Sequence, residues 1–179
     1  MDEVRSEALA WARSRARGLE RKDAGRRTPV GMSRLIEPGG DQVWWVPGTP
    51  DDVTPAVLHE LGMSPPTVER SALTCEVLAC CLRLCWTDFA SSPWPGIPTS
   101  VGAVTDVRTL LRPTQTWGKL RDGVTEVARR LSASGWLLWD EDTGVIRLGA
   151  RVATWPQADL DQFAEICRTL PRGRSESSA

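Results

Sequence analysis

The sequence has little or none of several features on which enzymes and membrane proteins depend. It contains a single histidine, His59, so a Ser–His–Asp triad would depend wholly on that residue. It contains no nucleophile-elbow, phosphate-loop or dinucleotide-binding glycine motif. It also contains no run of about 18 apolar residues that would cross a bilayer. We therefore expect neither enzyme activity nor a membrane span.

An excess of charge of one sign is absent as well, since the formal net charge is −1 over 179 residues. A strongly basic chain would have indicated nucleic acid at once. The balance is uneven, however: residues 41–99 are acidic and residues 100–156 are mildly basic. Nearly all cations are arginine, which indicates a GC-rich bacterial genome. The first residues lack the apolar stretch of a secretory signal, so we expect a cytoplasmic protein with reduced cysteines.

Residues 1–29 are predicted to be an Arg-rich helical extension. Apolar side chains recur at near-helical spacing over residues 2–23, with arginines around them. One interpretation is a helix that docks on a partner protein, with Trp11, Arg15 and Leu19 as the partner-binding residues. The alternatives are contact with phosphate and a solvated, partly frayed segment without a partner.

Residues 30–66 are predicted to form a hairpin and then a short helix. The apolar runs Met32–Ile36 and Gln42–Val46 flank a Pro-Gly-Gly-Asp turn, which favours two antiparallel strands. The short helix is predicted to begin at Thr54, a good N-cap that precedes a proline, and to end at Gly62.

The first helix of the C-terminal half is predicted over residues 67–89. It is apolar nearly all round, and the charges Glu69, Glu76 and Arg83 recur every seven residues along one narrow seam. A helix with so little polar surface is the central buried element of a domain.

Two further helices are predicted after a loop rich in proline and serine. Ser100 caps the first and Pro113 stops it, because the residue before a proline is pushed out of the helical region. The next helix is capped by Thr114 or Thr116 and stops at Gly135. Its apolar stripe at helical spacing comprises Leu120, Val124, Val127, Ala128 and Leu131.

A second hairpin is predicted immediately after this third helix. The apolar runs Trp136–Trp139 and Val145–Leu148 are joined by a short acidic turn that ends in glycine. The second strand is predicted to continue to Trp155. A C-terminal helix over residues 157–170 and a disordered tail over residues 171–179 are predicted to follow.

The order of helix, helix, tight turn, helix and hairpin over residues 73–155 resembles the winged helix-turn-helix superfamily. The predicted fold class is mainly α with a small β component (α+β), with a winged helix-turn-helix domain over residues 67–156. The resemblance implies that the third helix is the recognition helix and that the hairpin is the wing. It also implies a module that binds DNA or another protein, since the superfamily contains both kinds.

The leading hypothesis is a DNA-binding protein of regulatory type that acts on double-stranded DNA in transcription regulation. Gln115, Lys119 and Arg121 lie near the start of the third helix, and these residue types carry donors for base edges. Arg108 and Arg112, on the preceding helix, are the candidates for phosphate contacts. These five are the predicted DNA-binding residues.

Three acidic residues at the tip of the second hairpin, Asp140, Glu141 and Asp142, oppose part of that hypothesis. We interpret them as turn residues without chemistry, and an acidic tip would be repelled by phosphate. The acidic tip favours the rival hypothesis, a non-catalytic protein-interaction adaptor subunit of a larger chromosome-maintenance or defence assembly. A homodimer through the N-terminal or the last helix is a further alternative.

Four of the five cysteines, Cys75, Cys80, Cys81 and Cys85, fall on the first predicted helix of the C-terminal half. Zinc sites usually have two close pairs separated by a loop, which this spacing does not provide. We interpret these cysteines as small apolar residues of a buried helix, and we expect no metal and no cofactor. A redox or metal sensor acting through Cys81 and Cys85 is a third functional alternative.

Tryptophan supplies most of the aromatic surface, with nine residues in the chain. Trp94, in a proline-rich loop, and Trp117, at the start of the third helix, are predicted to be exposed. The tryptophans assigned to the core and the hairpin are Trp44, Trp45, Trp86, Trp136, Trp139 and Trp155.

Overall fold

The structure is a computed structural model that describes residues 9–14, 18–48 and 71–172. Over these residues the chain is a mixed α+β protein with two antiparallel sheets of three strands each. In this part of the chain no helix is long and apolar enough to cross a membrane. His59 and the short helix predicted from Thr54 lie outside the described residues.

The first sheet contains β1 (Glu20–Asp23), β2 (Met32–Ile36) and β3 (Gln42–Pro47), with β3 in the centre. β2 and β3 form the predicted hairpin, which is confirmed. Its turn requires positive φ, and Gly39 (φ 117°) and Gly40 (φ 84°) adopt such angles without a Cβ clash.

The helix predicted over residues 2–23 is wrong at its C-terminal end, where Glu20–Asp23 form strand β1. Residues 9–14 are helical, but Glu20–Asp23 pair antiparallel with β3. The Arg21 guanidinium makes two hydrogen bonds to the Glu37 carboxylate, at 2.8 and 2.7 Å. Cross-strand pairing therefore outweighs the helical spacing of this polar segment, because local propensity is weak beside tertiary contacts.

The first helix of the C-terminal half, α1 (Ala72–Cys85), is shorter than predicted. Residues 86–89 leave the helix, and the indole Nε1 of Trp86 donates to the Ser91 carbonyl at 3.0 Å. If the helix continued through these residues, the N–H of this buried indole would be separated from its acceptor. Residues 67–70 of the predicted helix lie outside the described part.

Two helices follow, α2 (Val101–Leu111) and α3 (Trp117–Ala133), as the spacing predicts. The Ser100 hydroxyl accepts a hydrogen bond from the third residue after it, at 3.1 Å, so the predicted cap of α2 is confirmed. Thr116 is the N-cap residue of α3, although its side chain makes no capping hydrogen bond. Gly135 takes φ 79° just after α3, a conformation that glycine commonly supplies at helix ends.

The second sheet contains β4 (Thr99–Ser100), β5 (Leu137–Asp140) and β6 (Val145–Leu148), with β6 in the centre. β5 and β6 pair antiparallel and form the second predicted hairpin, which is confirmed. β4 leads directly into α2, so the sheet ties the start of α2 to the hairpin.

Gly149 marks the end of β6. Its N–H donates to the Trp136 carbonyl at 2.7 Å, and a Cβ at this position would overlap the backbone just before β5. This close crossing turns the chain into a 3-10 helix, Ala150–Thr154. The predicted continuation of the strand to Trp155 is therefore wrong. The last helix, α4 (Gln157–Thr169), lies where it was predicted.

The main core surrounds α1, which contacts α2, α3, α4 and β6. The prediction that this helix is the central buried element is confirmed. A second, smaller cluster of Trp44, Val46 and Ala150 joins the first sheet to the 3-10 helix. The first sheet is therefore packed onto the C-terminal half. Side chains at the centre of the main core include Val77, Val104, Val124, Ile146 and Val152.

For the eight tryptophans from Trp44 onward, packing follows the prediction with one exception. All six tryptophans assigned to the core and the hairpin are buried or half-buried, and Trp117 is exposed. Trp94 is half-buried and packs against both clusters, so its predicted exposure is wrong. The loop that carries it folds back on α1, where the Ile97 N–H donates to the Cys85 carbonyl at 2.9 Å.

Candidate functional site

Four of the five predicted DNA-binding residues lie around the turn that joins α2 to α3. All eight residues from 112 to 119 are exposed, and so is Arg121. Arg112 ends α2, Gln115 lies in the turn, and Lys119 and Arg121 lie in the first turns of α3. Helical spacing places Lys119 on the outward face of α3 and Arg121 on its flank. We call this region the α2–α3 surface (Arg112, Gln115, Trp117, Lys119 and Arg121).

Arg108 does not belong to that surface, because its side chain is in the core. The residue is 4% exposed. Its Nε donates to Glu76 Oε1 at 2.8 Å, and its Nη1 donates to the Leu120 carbonyl at 3.1 Å. The predicted phosphate contact of Arg108 is therefore wrong, since these bonds hold α2 against α1 and α3. Its spacing, four residues after the buried Val104, was the sequence signal for an inward position.

Arg112 is bound to the same carboxylate from the solvent side. Its Nε and Nη2 donate to Glu76 Oε2 at 3.0 and 2.7 Å, while its side chain remains 55% exposed. Hydrogen bonding to Glu76 raises the pKa of Arg112 above its ordinary value. Arg112 is thus a permanent cation held in one orientation, and its Nη1 has no hydrogen-bond partner among the described residues.

Trp117 is fixed at the junction of the two helices. Its indole Nε1 donates to Asp106 Oδ1 at 2.9 Å, and the Arg121 guanidinium lies 5.5 Å from its ring centroid. The ring is 43% exposed, and Leu110, one turn after Asp106 on α2, is 57% exposed. The exposure of Trp117 was predicted from the sequence, and that of Leu110 was not. The four-residue spacing of Trp117 and Arg121 was a signal for their stacking.

The charges in the second half of α3 are engaged within the chain. Arg129 Nη2 lies 2.5 Å from Glu141 Oε1 in the hairpin turn, and Arg130 lies 4.0 Å from Glu126. Exposed pairs of this kind contribute little to stability, but they neutralise each other locally.

The start of α3 carries donors that are not engaged. Within the described part of the chain, neither the Gln115 amide nor the Lys119 ammonium has a hydrogen-bond partner. Asp122 lies on the same outward face and is the acidic neighbour of Lys119 there. Lys119, in the first turn, is therefore the cation of α3 that no described residue engages.

The acidic tip of the second hairpin is built as a turn. Asp140 Oδ2 accepts from the Thr143 hydroxyl at 2.7 Å, and Asp140 Oδ1 accepts from the backbone N–H of Asp142 at 3.1 Å. The hydrogen bond from Thr143 lowers the pKa of Asp140. These contacts support the interpretation of Asp140 as a turn residue. Glu141 and Asp142 remain on the exposed surface of the tip.

Two of the three predicted partner-binding residues of the N-terminal segment are described, and neither is exposed. Trp11 is 1% exposed, and its Nε1 donates to the Thr154 carbonyl at 3.1 Å. Its predicted role as a partner contact is therefore wrong, because the ring is docked inside this chain. Leu19 is half-buried against the second cluster. Arg15 lies outside the described residues.

The cysteines lie mostly in the core. Cys80, Cys81, Cys85 and Cys167 are buried, and Cys75 is exposed. Burial raises the pKa of Cys80 and of Cys85 to about 12, and that of Cys167 to about 11. Burial also raises the pKa of Cys81 well above its ordinary value. Protonated thiols bind metals and attack electrophiles poorly, and the described residues contain no cluster that could hold a metal ion.

Comparison with protein-family models, with characterised proteins and with solved structures finds no match to this chain.

Proposed function

We propose that residues 72–148 form a winged helix-turn-helix domain that binds double-stranded DNA through α3. The connectivity supports this proposal, since α1, β4, α2, α3, β5 and β6 follow one another and β6 lies between β4 and β5. Two helices joined by a tight turn are the DNA-binding unit of helix-turn-helix proteins, and the second of them enters the major groove. A regulatory role in transcription is the corresponding biological proposal.

The observation that carries the proposal is the exposed start of α3. Residues at this end of a recognition helix reach base edges, and Gln115 and Lys119 present donors there that no described residue engages. Arg112, fixed by Glu76 yet half exposed, is suited to a phosphate contact beside the groove. Arg121, on the flank of α3, is suited to a second one.

The tip of the wing takes no part in the proposed contact. Glu141 and Asp142 would face phosphate with the same sign of charge. Arg129 offsets Glu141 at 2.5 Å, which leaves Asp142 as the unpaired acid of the tip among the described residues. We expect Asp142→Asn to leave DNA affinity unchanged or to raise it slightly.

Fluorescence anisotropy with labelled genomic duplexes, measured over a series of salt concentrations, tests this function. The logarithm of the affinity should fall linearly with the logarithm of the salt concentration. Lys119→Ala and Arg121→Ala should each weaken binding and reduce the slope by about 1. Arg168→Ala is the matched control, because Arg168 is a 51% exposed arginine on α4. Salt-insensitive or absent binding by the unaltered protein would refute the proposal.

A second candidate function is a non-catalytic protein-interaction module of a larger assembly. The observation that favours it is the exposed ring of Trp117 with the Arg121 guanidinium 5.5 Å from its centroid, since tryptophan and arginine dominate the energetics of protein interfaces. Trp117→Ala separates the two candidates. For an adaptor, it should break a stoichiometric complex isolated from native cells while Lys119→Ala leaves that complex intact. For a DNA-binding protein, Lys119→Ala should have the larger effect on DNA affinity.

A further inference from the structure

A cleft of about 610 Å³ lies between the first sheet and the second hairpin. One wall is the face of the first sheet that carries Arg21 and its cross-strand partner Trp44. The other wall is the face of the hairpin that carries Leu138 and its partner Arg147. Cross-strand partners lie on the same face of a sheet. The volume falls within the range of roughly 300–1,000 Å³ that small-molecule sites have.

The two carboxylates of the cleft accept hydrogen bonds from within the chain. Glu37 Oε1 accepts from Arg21 Nε at 2.8 Å and from Trp44 Nε1 at 2.6 Å, and its Oε2 accepts from Arg21 Nη2 at 2.7 Å. Both oxygens of Asp140 accept hydrogen bonds from the turn that follows it. Both oxygens of each carboxylate therefore already have donors.

The two arginines of the cleft, in contrast, keep donors free. Arg147 Nη1 donates to the Gly96 carbonyl at 2.9 Å, but its Nε and Nη2 have no partner among the described residues. Arg21 Nη1 likewise has none in that part of the chain. Arg147 is half-buried and the Arg21 side chain is 52% exposed, so both present accessible surface. Because a guanidinium only donates, the cleft has an excess of donors.

An oxyanion matches this excess best. Hydrogen bonds from a guanidinium to a carboxylate or phosphate are charge-assisted and about twice as strong as neutral ones. The charge of Glu37 is offset by Arg21 at 2.7 Å. Asp140 lies on the exposed rim, where water screens it, and it forms no ion pair with the half-buried Arg147. The charge of Arg147 is therefore available to a guest.

Apolar side chains adjoin the arginines in the same cleft. Leu138 is half-buried, Val145 is 37% exposed, and Pro38 is exposed. A guest that covers them removes apolar surface from water, which is favourable. The guest that fits is therefore an anion with an apolar body.

We propose that this cleft binds a small organic anion, with a carboxylate or a phosphate group on an apolar body. Arg147 and Arg21 donate to the oxyanion, and Leu138 and Val145 contact the body. This inference does not depend on DNA binding.

Isothermal titration calorimetry of the full chain at low ionic strength tests the proposal with three probes. The probes are 2-naphthoate, 2-naphthyl phosphate and the uncharged 2-acetylnaphthalene. At least one of the anions should bind about tenfold more tightly than 2-acetylnaphthalene, because its hydrogen bonds are charge-assisted. The tighter anion identifies the class of oxyanion. Absence of saturable binding by both anions, or binding of 2-acetylnaphthalene as tight as theirs, would overturn the proposal.

Substitutions of the arginines locate the binding. Arg147→Gln should weaken the tighter anion about tenfold and leave the affinity for 2-acetylnaphthalene unchanged. Arg21→Gln should have a smaller effect of the same kind, since Arg21 is shared with Glu37. Arg34→Gln is the matched control, because this exposed arginine of β2 pairs with Trp45, on the opposite face of the first sheet.

Circular dichroism shows which of these variants fold, and either cleft variant suffices for the test. Anion affinity that is unchanged in every folded cleft variant would place the probe elsewhere and would overturn the proposal. An equal loss of affinity for the anion and for 2-acetylnaphthalene would show that the arginines act only on the structure, with the same consequence.

The anisotropy assay with DNA distinguishes a phosphate of nucleic acid from a small anion. A salt slope reduced by about 1 in Arg147→Gln would assign Arg147 to the DNA backbone and would overturn the proposal. We expect an unchanged slope, because the acidic hairpin tip adjoins the cleft and repels phosphate. If the unaltered protein binds no DNA, the proposed function fails and the calorimetry alone decides this proposal.

Discussion

Replacing Glu76 by glutamine isolates the contribution of one carboxylate that holds three helices together. Glu76, on α1, accepts from Arg108 on α2 at 2.8 Å and from Arg112, the residue that follows α2, at 2.7 Å. Arg108 also donates to the carbonyl of Leu120 on α3. Glu76→Gln keeps the shape of the side chain but removes its charge, so the Arg108 cation, with a side chain only 5% exposed, loses its counter-ion.

The magnitude follows from the burial of the pair. Breaking a fully buried ion pair by removing one partner costs about 3–5 kcal/mol. The Glu76 side chain is 15% exposed, so water offsets part of the loss. We therefore expect the free energy of unfolding to fall by about 2–3 kcal/mol in Glu76→Gln.

The dependence on pH has a definite sign. Burial acts to raise the pKa of Glu76, but hydrogen bonds from Arg112 and Arg108 outweigh it, and the net pKa lies below the ordinary value of 4.5. A carboxyl with a lowered pKa in the folded state stabilises the protein above its unfolded pKa, and this contribution is lost as the pH falls through the folded pKa. The difference between wild type and Glu76→Gln should thus be largest near pH 7 and should shrink below about pH 4.

Urea denaturation followed by tryptophan fluorescence, at pH 7 and through the acid range, measures this difference. Glu165→Gln is the matched control, because the Glu165 side chain is 74% exposed and its pair with Arg168 lies on the surface of α4. It should unfold at nearly the wild-type urea concentration. Two results would refute the reasoning about Arg108. One is a Glu76→Gln variant that unfolds at the wild-type urea concentration at pH 7. The other is a loss of unfolding free energy, relative to wild type, that stays constant as the pH falls.

Three further predictions concern burial. Thr74→Val should stabilise the protein by about 1 kcal/mol, because it removes an unpaired buried hydroxyl. Thr105→Val should destabilise it by about the same amount, because the Thr105 hydroxyl donates to a backbone carbonyl at 2.7 Å. The urea midpoints of the two variants test these opposite signs. Gly149→Ala should lower the thermal midpoint and reduce the free energy of unfolding by about 1–3 kcal/mol, because the added Cβ would overlap backbone atoms. An unchanged midpoint would contradict the close backbone approach at Gly149. In thiol labelling of the native protein, Cys75 should react first and Cys81 only after denaturation, and mass spectrometry of peptides identifies the order.

The sequence by itself determined the elements whose signals are local. α2 and α3 follow from apolar spacing, with Ser100 capping α2 and Gly135 ending α3. Both hairpins follow from apolar runs around glycine-containing turns. The exposure of Lys119 also follows, because a helix turns its polar residues away from an apolar stripe. These features depend on contacts within a few residues, which periodicity and turn chemistry describe.

Only the tertiary structure decided the features that depend on residues far apart in the chain. Arg108 is 32 residues from Glu76, and their contact turned a candidate phosphate ligand into a core residue. Trp11 is 143 residues from Thr154, and its docking turned a candidate partner contact into part of this chain's interior. The pairing of β1 with β3 arises in the same way. A side chain's burial depends on what packs against it, and local spacing does not specify that partner when it lies elsewhere in the chain.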